Sequence, residues 1–159
     1  MKLWLAAPAV AVLAMALHRI VSPPSLSADL RGQFAIVTGG GRGLGRGIAG
    51  ALVEAGATVY ITGRNRDSLT ESCALAAQST GQCIPKVVDN SNDTGLELFF
   101  SEVSRETGGR LDILVNNAYS GIGYWGKHEL IGKPFWEVPM QLFDEVFDVG
   151  VRSHYKVLS

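Results

Sequence analysis

The chain has 159 residues, of which 47% are hydrophobic and 19 are glycine, and its formal net charge is −1. A chain of this length holds one domain with a buried core. Because it carries no excess of basic residues, nucleic acid is excluded as an expected partner. Its two cysteines, Cys73 and Cys83, lack the paired spacing of a zinc site, so no metal is predicted. We expect two free thiols, since a disulfide requires an oxidising compartment.

The N-terminal segment, residues 1–21, is predicted to be either a membrane anchor or a signal peptide. Residues 3–17 are apolar throughout, Lys2 precedes them and Arg19 follows. This run is short for a membrane-spanning helix unless it extends to Val21, and Ala14-Met15-Ala16 fits a small-residue cleavage site. Pro23 and Pro24 then predict a linker over residues 22–30. Residues 31–159 are predicted to form the folded domain.

Strand and helix patterns alternate after the linker. Apolar runs predict strands at 33–38, 57–62, 82–88 and 111–116, with amphipathic helices between them. The sequence Ser68-Leu69-Thr70-Glu71 resembles a capping box that opens the second helix, and Pro85 favours an edge position for the third strand. Helices between every pair of strands predict an α/β fold with a parallel sheet covered on both faces.

After the fourth predicted strand, the alternation of strands and helices is interrupted. Residues 119–138 contain four glycines and several aromatic residues without periodicity, which predicts a long loop that is either functional or disordered. A helix is predicted from Pro139 to the end of the chain, with Phe143, Val146 and Phe147 on one face.

The strongest functional motif is the glycine-rich turn Thr38–Gly45, between the first strand and the first helix. A turn of this kind directs backbone N–H groups and a helix dipole at an anion. Gly39 is expected to make the tight turn, Gly43 to let a pyrophosphate approach, and Gly45 to let the helix pack on the sheet. The literal match to Gly-x-Gly-x-x-Gly at residues 45–50 lies inside the helix and is not expected to bind phosphate. The candidate cofactor-binding residues of this turn are Gly39, Gly41, Arg42, Gly43, Leu44 and Gly45.

Further candidates follow the other strands. Arg64 ends the second strand, at the position where an acidic residue would bind the ribose 2′-hydroxyl of NAD. An arginine at this position instead predicts binding of a 2′-phosphate, and therefore of NADP(H). Arg42 is expected to assist it. Ligands of open α/β sheets bind at the carboxyl ends of the strands, so residues after the third and fourth strands complete the predicted site: Asp89, Asn90, Asn116 and Ala118.

The spacing Gly-x-x-x-Gly-x-Gly at 39–45 and the sequence Asn116-Asn117-Ala118 resemble the short-chain dehydrogenase/reductase family. The resemblance extends from residue 32 to about 155 and includes VYITGR (59–64), GQCIP (81–85), LVNNAY (114–119), FWEVP (135–139) and DVGVRSHY (148–155). It implies a Rossmann-like doubly wound sheet in the order 3-2-1-4. It also implies that Asp89 contacts adenine and that the first asparagine, Asn116, supports the sheet. Tyr119 stands where the family typically has glycine, and it is expected to narrow the space beside the nicotinamide ribose.

The family resemblance implies an NADP(H)-dependent oxidoreductase of the carbonyl reductase or alcohol dehydrogenase type, with a small carbonyl or alcohol substrate in full-length relatives. The subgroup it points to is associated with the endoplasmic reticulum, so residues 3–21 are expected to contact a membrane. The alternative is the secretory pathway after cleavage of a signal.

The catalytic pattern of the family is absent from these residues. The family uses a serine and a Tyr-x-x-x-Lys motif, but none of the four tyrosines is followed by lysine four residues later. Gly150 occupies the position that resembles the catalytic asparagine, and His128 and His154 are expected to be structural or surface residues. No catalytic residue is therefore predicted, and the chain is expected to be the N-terminal half of a truncated domain. The alternative function is a non-catalytic cofactor-binding fragment or truncated isoform.

Overall fold

The computed structural model describes residues 28–77 and 79–158, so the proposed leader at 1–21 and most of the linker lie outside the described residues. Within these two ranges no helix is both long enough and apolar enough to span a membrane. The strands are β1 (Phe34–Val37), β2 (Thr58–Gly63), β3 (Gln82–Val87) and β4 (Ile113–Val115). The helices are α1 (Gly43–Glu54), α2 (Arg66–Leu75), α3 (Asp93–Thr107), α4 (Gly121–Lys127), α5 (Met140–Phe147) and α6 (Ser153–Leu158). A 3₁₀ turn spans Phe135–Glu137, and a π-helical turn, Asp148–Arg152, joins α5 to α6.

The four strands form one parallel sheet in the order β3-β2-β1-β4, which confirms the predicted order. The central strand β1 pairs with both neighbours, so that Ile36 lies beside Tyr60 of β2 and Leu114 of β4. Pro85 pairs with Ile61 on the outer strand β3, where its missing N–H group is tolerated because no further described strand pairs there. All four carboxyl ends lie at the same edge of the sheet.

Each face of the sheet is covered by helices, because alternate strand residues are apolar on both sides. One face carries Ala35, Val37, Val59 and Ile61, which pack with Ala49 and Val53 of α1 and with Leu69 of α2. The opposite face carries Ile36 and Tyr60, which pack with Leu96, Phe99 and Val103 of α3. Burial of each large aliphatic side chain contributes about 1.5–3 kcal/mol, so these two clusters hold the strand ends in register.

Two local predictions were wrong. Helix α2 begins at Arg66 rather than at Ser68, because the Asn65 side chain accepts a hydrogen bond of 2.8 Å from the Ser68 N–H and caps the helix. The segment 119–138 was predicted as a loop, yet it contains α4 and the 3₁₀ turn. Three glycines at 121, 123 and 126 obscure the helical pattern of α4, since glycine is a poor helix former.

The expectation of two free thiols was also wrong, because Cys73 and Cys83 form a disulfide. Cys73 lies near the C-terminal end of α2 and Cys83 near the start of β3, with their Cα atoms 5.2 Å apart. The cysteine spacing alone was uninformative because this proximity arises only when α2 packs back beside the edge strand.

The predicted C-terminal helix is present from Met140 to Leu158, interrupted by the π-helical turn. The Phe143 and Phe147 rings share a face and stack 5.8 Å apart, but that face is exposed. The buried positions are Leu142, Val149 and Ser153, and ion pairs of Arg152 and Lys156 with Asp93 and Glu97 attach this helix to α3.

Candidate functional site

The glycine-rich turn places the start of α1 at the carboxyl edge of the sheet. The turn leaves β1 at Thr38, and α1 begins at Gly43 with Arg42 in an extended N-cap conformation. The Arg42 side chain makes no capping hydrogen bond, and no acidic residue lies in the first turn. A helix N-terminus that has no side-chain cap presents its N–H donors and its positive dipole end to an anion.

Two glycines of the turn have different surroundings. Gly43 has φ +56°, and nothing lies within 4 Å of the position that a Cβ atom would occupy. It therefore leaves the start of the helix open to a ligand, in a conformation that favours glycine. At Gly45 a Cβ atom would clash with the carbonyl oxygen of Gly39 and with Nδ2 of Asn117. Gly45 thus permits the close packing of α1 on the sheet that the sequence predicted.

Side chains from α1 and α2 hold the turn in place. The buried Ser72 hydroxyl donates a hydrogen bond of 2.8 Å to the carbonyl oxygen of Gly40. The Arg46 guanidinium donates two, of 2.8 and 3.2 Å, to the carbonyl oxygen of Gly41, and it also pairs with Glu71. Sequence reasoning missed Ser72 and Arg46 because no sequence pattern gives either a role at the turn, and only the packing of the two helices brings them there.

A second connection joins the turn to the end of β4. The Asn117 side-chain amide donates hydrogen bonds to the carbonyl oxygens of Thr38 and Gly39, at 2.9 and 3.2 Å. The Thr38 hydroxyl accepts from the backbone N–H groups of Asn117 and Ala118, both at 3.0 Å. The sheet-supporting residue is therefore Asn117, and the expectation that Asn116 has this role was wrong. The reason is the alternation of side chains at the strand end, which turns Asn117 toward β1.

The side chain of Asn116 makes different contacts from that of Asn117. Its Nδ2 is 3.5 Å from the carbonyl oxygen of His154, which is a weak contact, and its Oδ1 is buried without a hydrogen-bond partner among the described residues. A buried acceptor without a partner is costly, so Asn116 has capacity for a further donor at this edge of the sheet.

Arg42, Leu44 and Arg64 are exposed around the turn. Leu44 is 75% exposed in the first turn of α1. Arg64 directly follows Gly63, the last residue of β2, and Gly40 of the turn donates a hydrogen bond to the carbonyl of Thr62 in the same strand. Across residues 28–77 and 79–158, neither arginine forms an ion pair with a described carboxylate. Both guanidinium groups are available to an anionic ligand.

The two candidate residues after β3 differ in burial, since Asp89 lies in an exposed turn and the side-chain amide of Asn90 is buried. Asp89 is exposed, and its Oδ1 accepts hydrogen bonds from the backbone N–H and the hydroxyl of Ser91. The cap of α3 is Asn92. Asn90 is 6% exposed, with Oδ1 at 3.4 Å from the Thr62 hydroxyl and Nδ2 buried without a described partner. Asn90 therefore presents a free donor near the end of β2.

His128 and His154 occupy a surface and a structural position, as predicted. The Nε2 of His154 lies 3.1 Å from the carbonyl oxygen of Ala118. A carbonyl only accepts, so His154 donates and holds the backbone after β4. His128 is exposed and stacks on Tyr124 at 4.1 Å. No group of three or more His, Cys, Asp or Glu residues in the described ranges is arranged to hold a metal ion.

The sequence profile of the short-chain dehydrogenases matches residues 33–159. The chain belongs to the short-chain dehydrogenase family. Membership in this oxidoreductase family agrees with the four parallel strands in the order 3-2-1-4 and with a glycine-rich turn at the central strand.

Several short-chain dehydrogenases resemble this chain. It is 47% identical over 128 residues to dehydrogenase/reductase SDR family member 1 of Mus musculus, which covers 80% of this chain and 40% of that protein. It is 35% identical over 127 residues to L-rhamnose 1-dehydrogenase (NADP(+)) of Thermoplasma acidophilum, covering 80% of this chain and 46% of that protein. A solved metagenomic short-chain oxidoreductase in complex with NADP matches with a TM-score of 0.71 and 30% identity, covering 82% of this chain and 55% of that one. The chain thus spans between 40% and 55% of the length of these relatives.

Proposed function

We propose that this chain binds NADP(H) across the carboxyl ends of its strands, as the cofactor-binding part of a carbonyl reductase or alcohol dehydrogenase. The observation that carries the proposal is the uncapped N-terminus of α1, open at Gly43. Arg42 and Arg64 border it, and neither guanidinium group pairs with a carboxylate of the described residues. When bound, the nicotinamide group supplies a hydride to a carbonyl substrate or accepts one from an alcohol.

The start of α1 fits a pyrophosphate. Helix N-termini bind phosphate through backbone N–H groups and the helix dipole, and here the N-cap side chain makes no hydrogen bond to them. The candidate residues Gly39, Gly41, Arg42, Gly43, Leu44 and Gly45 all belong to this turn or to the first turn of α1. Ser72 and Arg46 donate hydrogen bonds to the carbonyl oxygens of Gly40 and Gly41 and so stabilise the turn that leads into α1.

The position after β2 fits a 2′-phosphate. Arg64 stands there without an acidic neighbour, and a guanidinium group binds a phosphate through charge-assisted hydrogen bonds, whereas a carboxylate would repel it. Two relatives support the same cofactor, since one is named as an NADP(+) enzyme and the other was solved in complex with NADP. NADP(H) is therefore proposed over NAD(H).

The strand order supports a direction for the proposed cofactor. With β1 in the middle, the adenosine half lies over β2 and β3, near Arg64, Asp89 and Asn90. The nicotinamide half lies over β4, near Asn116 and Ala118. The unpartnered Nδ2 of Asn90 and Oδ1 of Asn116 provide one donor and one acceptor at these two ends.

For the residues present here we propose cofactor binding without turnover as the second candidate function. None of Tyr60, Tyr119, Tyr124 and Tyr155 is followed by lysine at the fourth position, so the proton donor used by the family is not formed by these residues. His154 does not replace it, because its Nε2 is engaged by the Ala118 carbonyl.

The test is a titration of the purified chain with NADPH and NADH, followed by fluorescence, and then a turnover assay with a panel of small aldehydes and ketones. We expect saturable binding of NADPH, weaker binding of NADH and no turnover. Equal affinity for both dinucleotides would overturn the proposed cofactor. Carbonyl-dependent oxidation of NADPH would overturn binding without turnover and support the catalytic function.

We propose that residues 1–21 place the domain at a membrane of the endoplasmic reticulum, facing an oxidising compartment. The disulfide between Cys73 and Cys83 supports this exposure, because such bonds persist in oxidising compartments. We expect the expressed protein to resist extraction from membranes by alkaline carbonate. A mature N-terminus at Leu17 would instead support cleavage and secretion, and uncleaved protein recovered only in the supernatant would overturn both outcomes.

A further inference from the structure

The residues that lead into α3 contain the acceptor pattern for an N-linked glycan, Asn92-Asp93-Thr94. Such a glycan is attached to asparagine where serine or threonine stands two residues later and the residue between them is not proline. Of the five asparagines of the chain, only Asn92 meets this condition. A three-residue pattern also arises by chance, so its meaning depends on where the asparagine lies in the fold.

Asn92 lies in a surface turn that precedes the helix. Asn92 and Thr94 are both exposed. The backbone of Asn92 is extended, with φ −101° and ψ 102°, and its N–H group donates a hydrogen bond of 3.0 Å to the carbonyl oxygen of Asp89. A glycan is bulky and hydrated, and an exposed turn accommodates it without displacing buried side chains.

The side-chain amide of Asn92 uses one of its two ends in the fold. Its Oδ1 accepts a hydrogen bond of 3.0 Å from the Gly95 N–H and so caps α3, whereas its Nδ2 donates no hydrogen bond to a described residue. N-linked sugars are attached to the amide nitrogen of asparagine. Because the oxygen remains an acceptor in the glycosylated amide, this modification preserves the cap.

The disulfide between Cys73 and Cys83 is an independent indication of the compartment that the modification requires. Disulfides persist in oxidising compartments such as the lumen of the endoplasmic reticulum, where N-linked glycans are also attached. Neither cysteine belongs to the acceptor pattern, so the two features come from separate segments of the chain. The apolar residues 3–17 are a third feature, since a signal or anchor segment of this kind delivers a domain into that lumen.

We propose that Asn92 carries an N-linked glycan, attached in the lumen of the endoplasmic reticulum. This inference rests on the proposed placement of the domain on the oxidising side of the membrane. The donor is an oligosaccharide joined to a lipid through pyrophosphate. The Asn92 Nδ2 forms a bond to C1 of the first sugar and loses one proton, while the bond from C1 to the pyrophosphate oxygen breaks and the lipid pyrophosphate leaves with its electron pair. Nothing is oxidised or reduced.

The experiment expresses the full chain in mammalian cells and compares its electrophoretic mobility before and after treatment with peptide N-glycosidase F, which removes N-linked glycans. We expect the unmodified chain, recovered from microsomes or from the medium, to shift once to a lower apparent mass. Asn92→Asp should run at that lower mass without treatment, because a carboxylate still caps α3 but has no amide nitrogen. Thr94→Ala should do the same with Asn92 intact. Thr94→Ser, the matched control, keeps the hydroxyl and should retain the glycan.

Protease added to intact microsomes separates the possible failures. A protected or secreted chain that the glycosidase does not shift would overturn the glycan and leave the proposed placement standing. A chain that the protease digests in intact microsomes would overturn the placement and this inference together. A glycosidase shift that persists in Asn92→Asp would overturn the assignment to Asn92. The proposed cofactor binding is measured separately, by titration with NADPH, so its failure is not confused with any of these outcomes.

Discussion

Asn117 and Thr38 hold each other at the ends of two neighbouring strands. The Asn117 side-chain amide donates to the Thr38 carbonyl oxygen at 2.9 Å, and the Asn117 backbone N–H donates to the Thr38 hydroxyl at 3.0 Å. These bonds join the start of the glycine-rich turn to the end of β4. They fix the distance between the parts of the site proposed for the pyrophosphate and for the nicotinamide.

Replacing Asn117 by alanine is expected to destabilise the domain. The substitution leaves the carbonyl oxygens of Thr38 and Gly39 without their side-chain donor, and the loss of two such bonds costs about 1–3 kcal/mol. Thermal unfolding followed by circular dichroism should show a lower Tm. Asn116→Ala is the matched control, because among the described residues its amide makes a single weak contact of 3.5 Å. A larger loss of Tm in the control than in Asn117→Ala would contradict this assignment of the supporting residue.

Replacing Arg64 by alanine is expected to weaken NADPH binding about tenfold or more, because a charge-assisted contact to the 2′-phosphate is lost. The Kd for NADH should change little, and Arg64→Asp should reverse the preference between the two. Calorimetric titration with both dinucleotides measures this. Arg66, an exposed arginine in the first turn of α2, supplies the control substitution Arg66→Ala. The same loss from both alanine variants would argue for general attraction by positive charge instead of a specific contact.

The disulfide between Cys73 and Cys83 is expected to stabilise the oxidised protein. Closing a chain segment of 10 residues raises the free energy of unfolding by roughly 2–3 kcal/mol, chiefly by restricting the unfolded chain. Cys73→Ser should therefore unfold at a lower denaturant concentration than the unmodified chain in oxidising buffer. The two proteins should converge in the presence of dithiothreitol. Mass spectrometry after alkylation checks the bond itself, and two alkylated cysteines in the oxidised, unmodified chain would contradict it.

A charged cluster around Lys86 is expected to make stability depend on acid pH. Its Nζ lies 3.1 Å from carboxylate oxygens of both Glu102 and Glu106. Hydrogen bonds from Lys86, and then from the Tyr60 hydroxyl, lower the pKa of Glu106 below its ordinary value of 4.5. Since the folded-state pKa is the lower one, the stabilisation is complete above pH 4.5 and is lost as the pH falls through the folded-state pKa.

The measurement is the Tm of the unmodified chain and of Glu106→Gln across this pH range. We expect the variant to have the lower Tm at pH 7 and the difference between the two proteins to shrink at acid pH. Glu54→Gln, on the exposed C-terminal end of α1, is the control and should follow the unmodified chain at each pH. A difference in Tm between Glu106→Gln and the unmodified chain that stays constant down to pH 3 would show that the charge of Glu106 contributes nothing to stability.

The sequence by itself determined the alternation of strands and helices, the parallel sheet and the location of the glycine-rich turn. Apolar runs of strand length, separated by amphipathic helices, have few other ways to bury their surfaces, and the resemblance to the short-chain dehydrogenase family supplied the strand order. The edge position of Pro85 was likewise predictable, since proline lacks the N–H group that an inner strand requires.

Contacts between residues distant in sequence were decided only by the tertiary structure. Asn117 rather than Asn116 supports the sheet because side chains alternate at the end of β4, and Cys73 meets Cys83 because α2 packs beside β3. Ser72 reaches Gly40 across 32 residues, and Gly150 reaches Tyr119 through a π-helical turn. Hydrophobic periodicity reports which face of an element is buried. It does not report which polar atoms come to lie opposite each other, because that depends on how the packed elements are aligned in space.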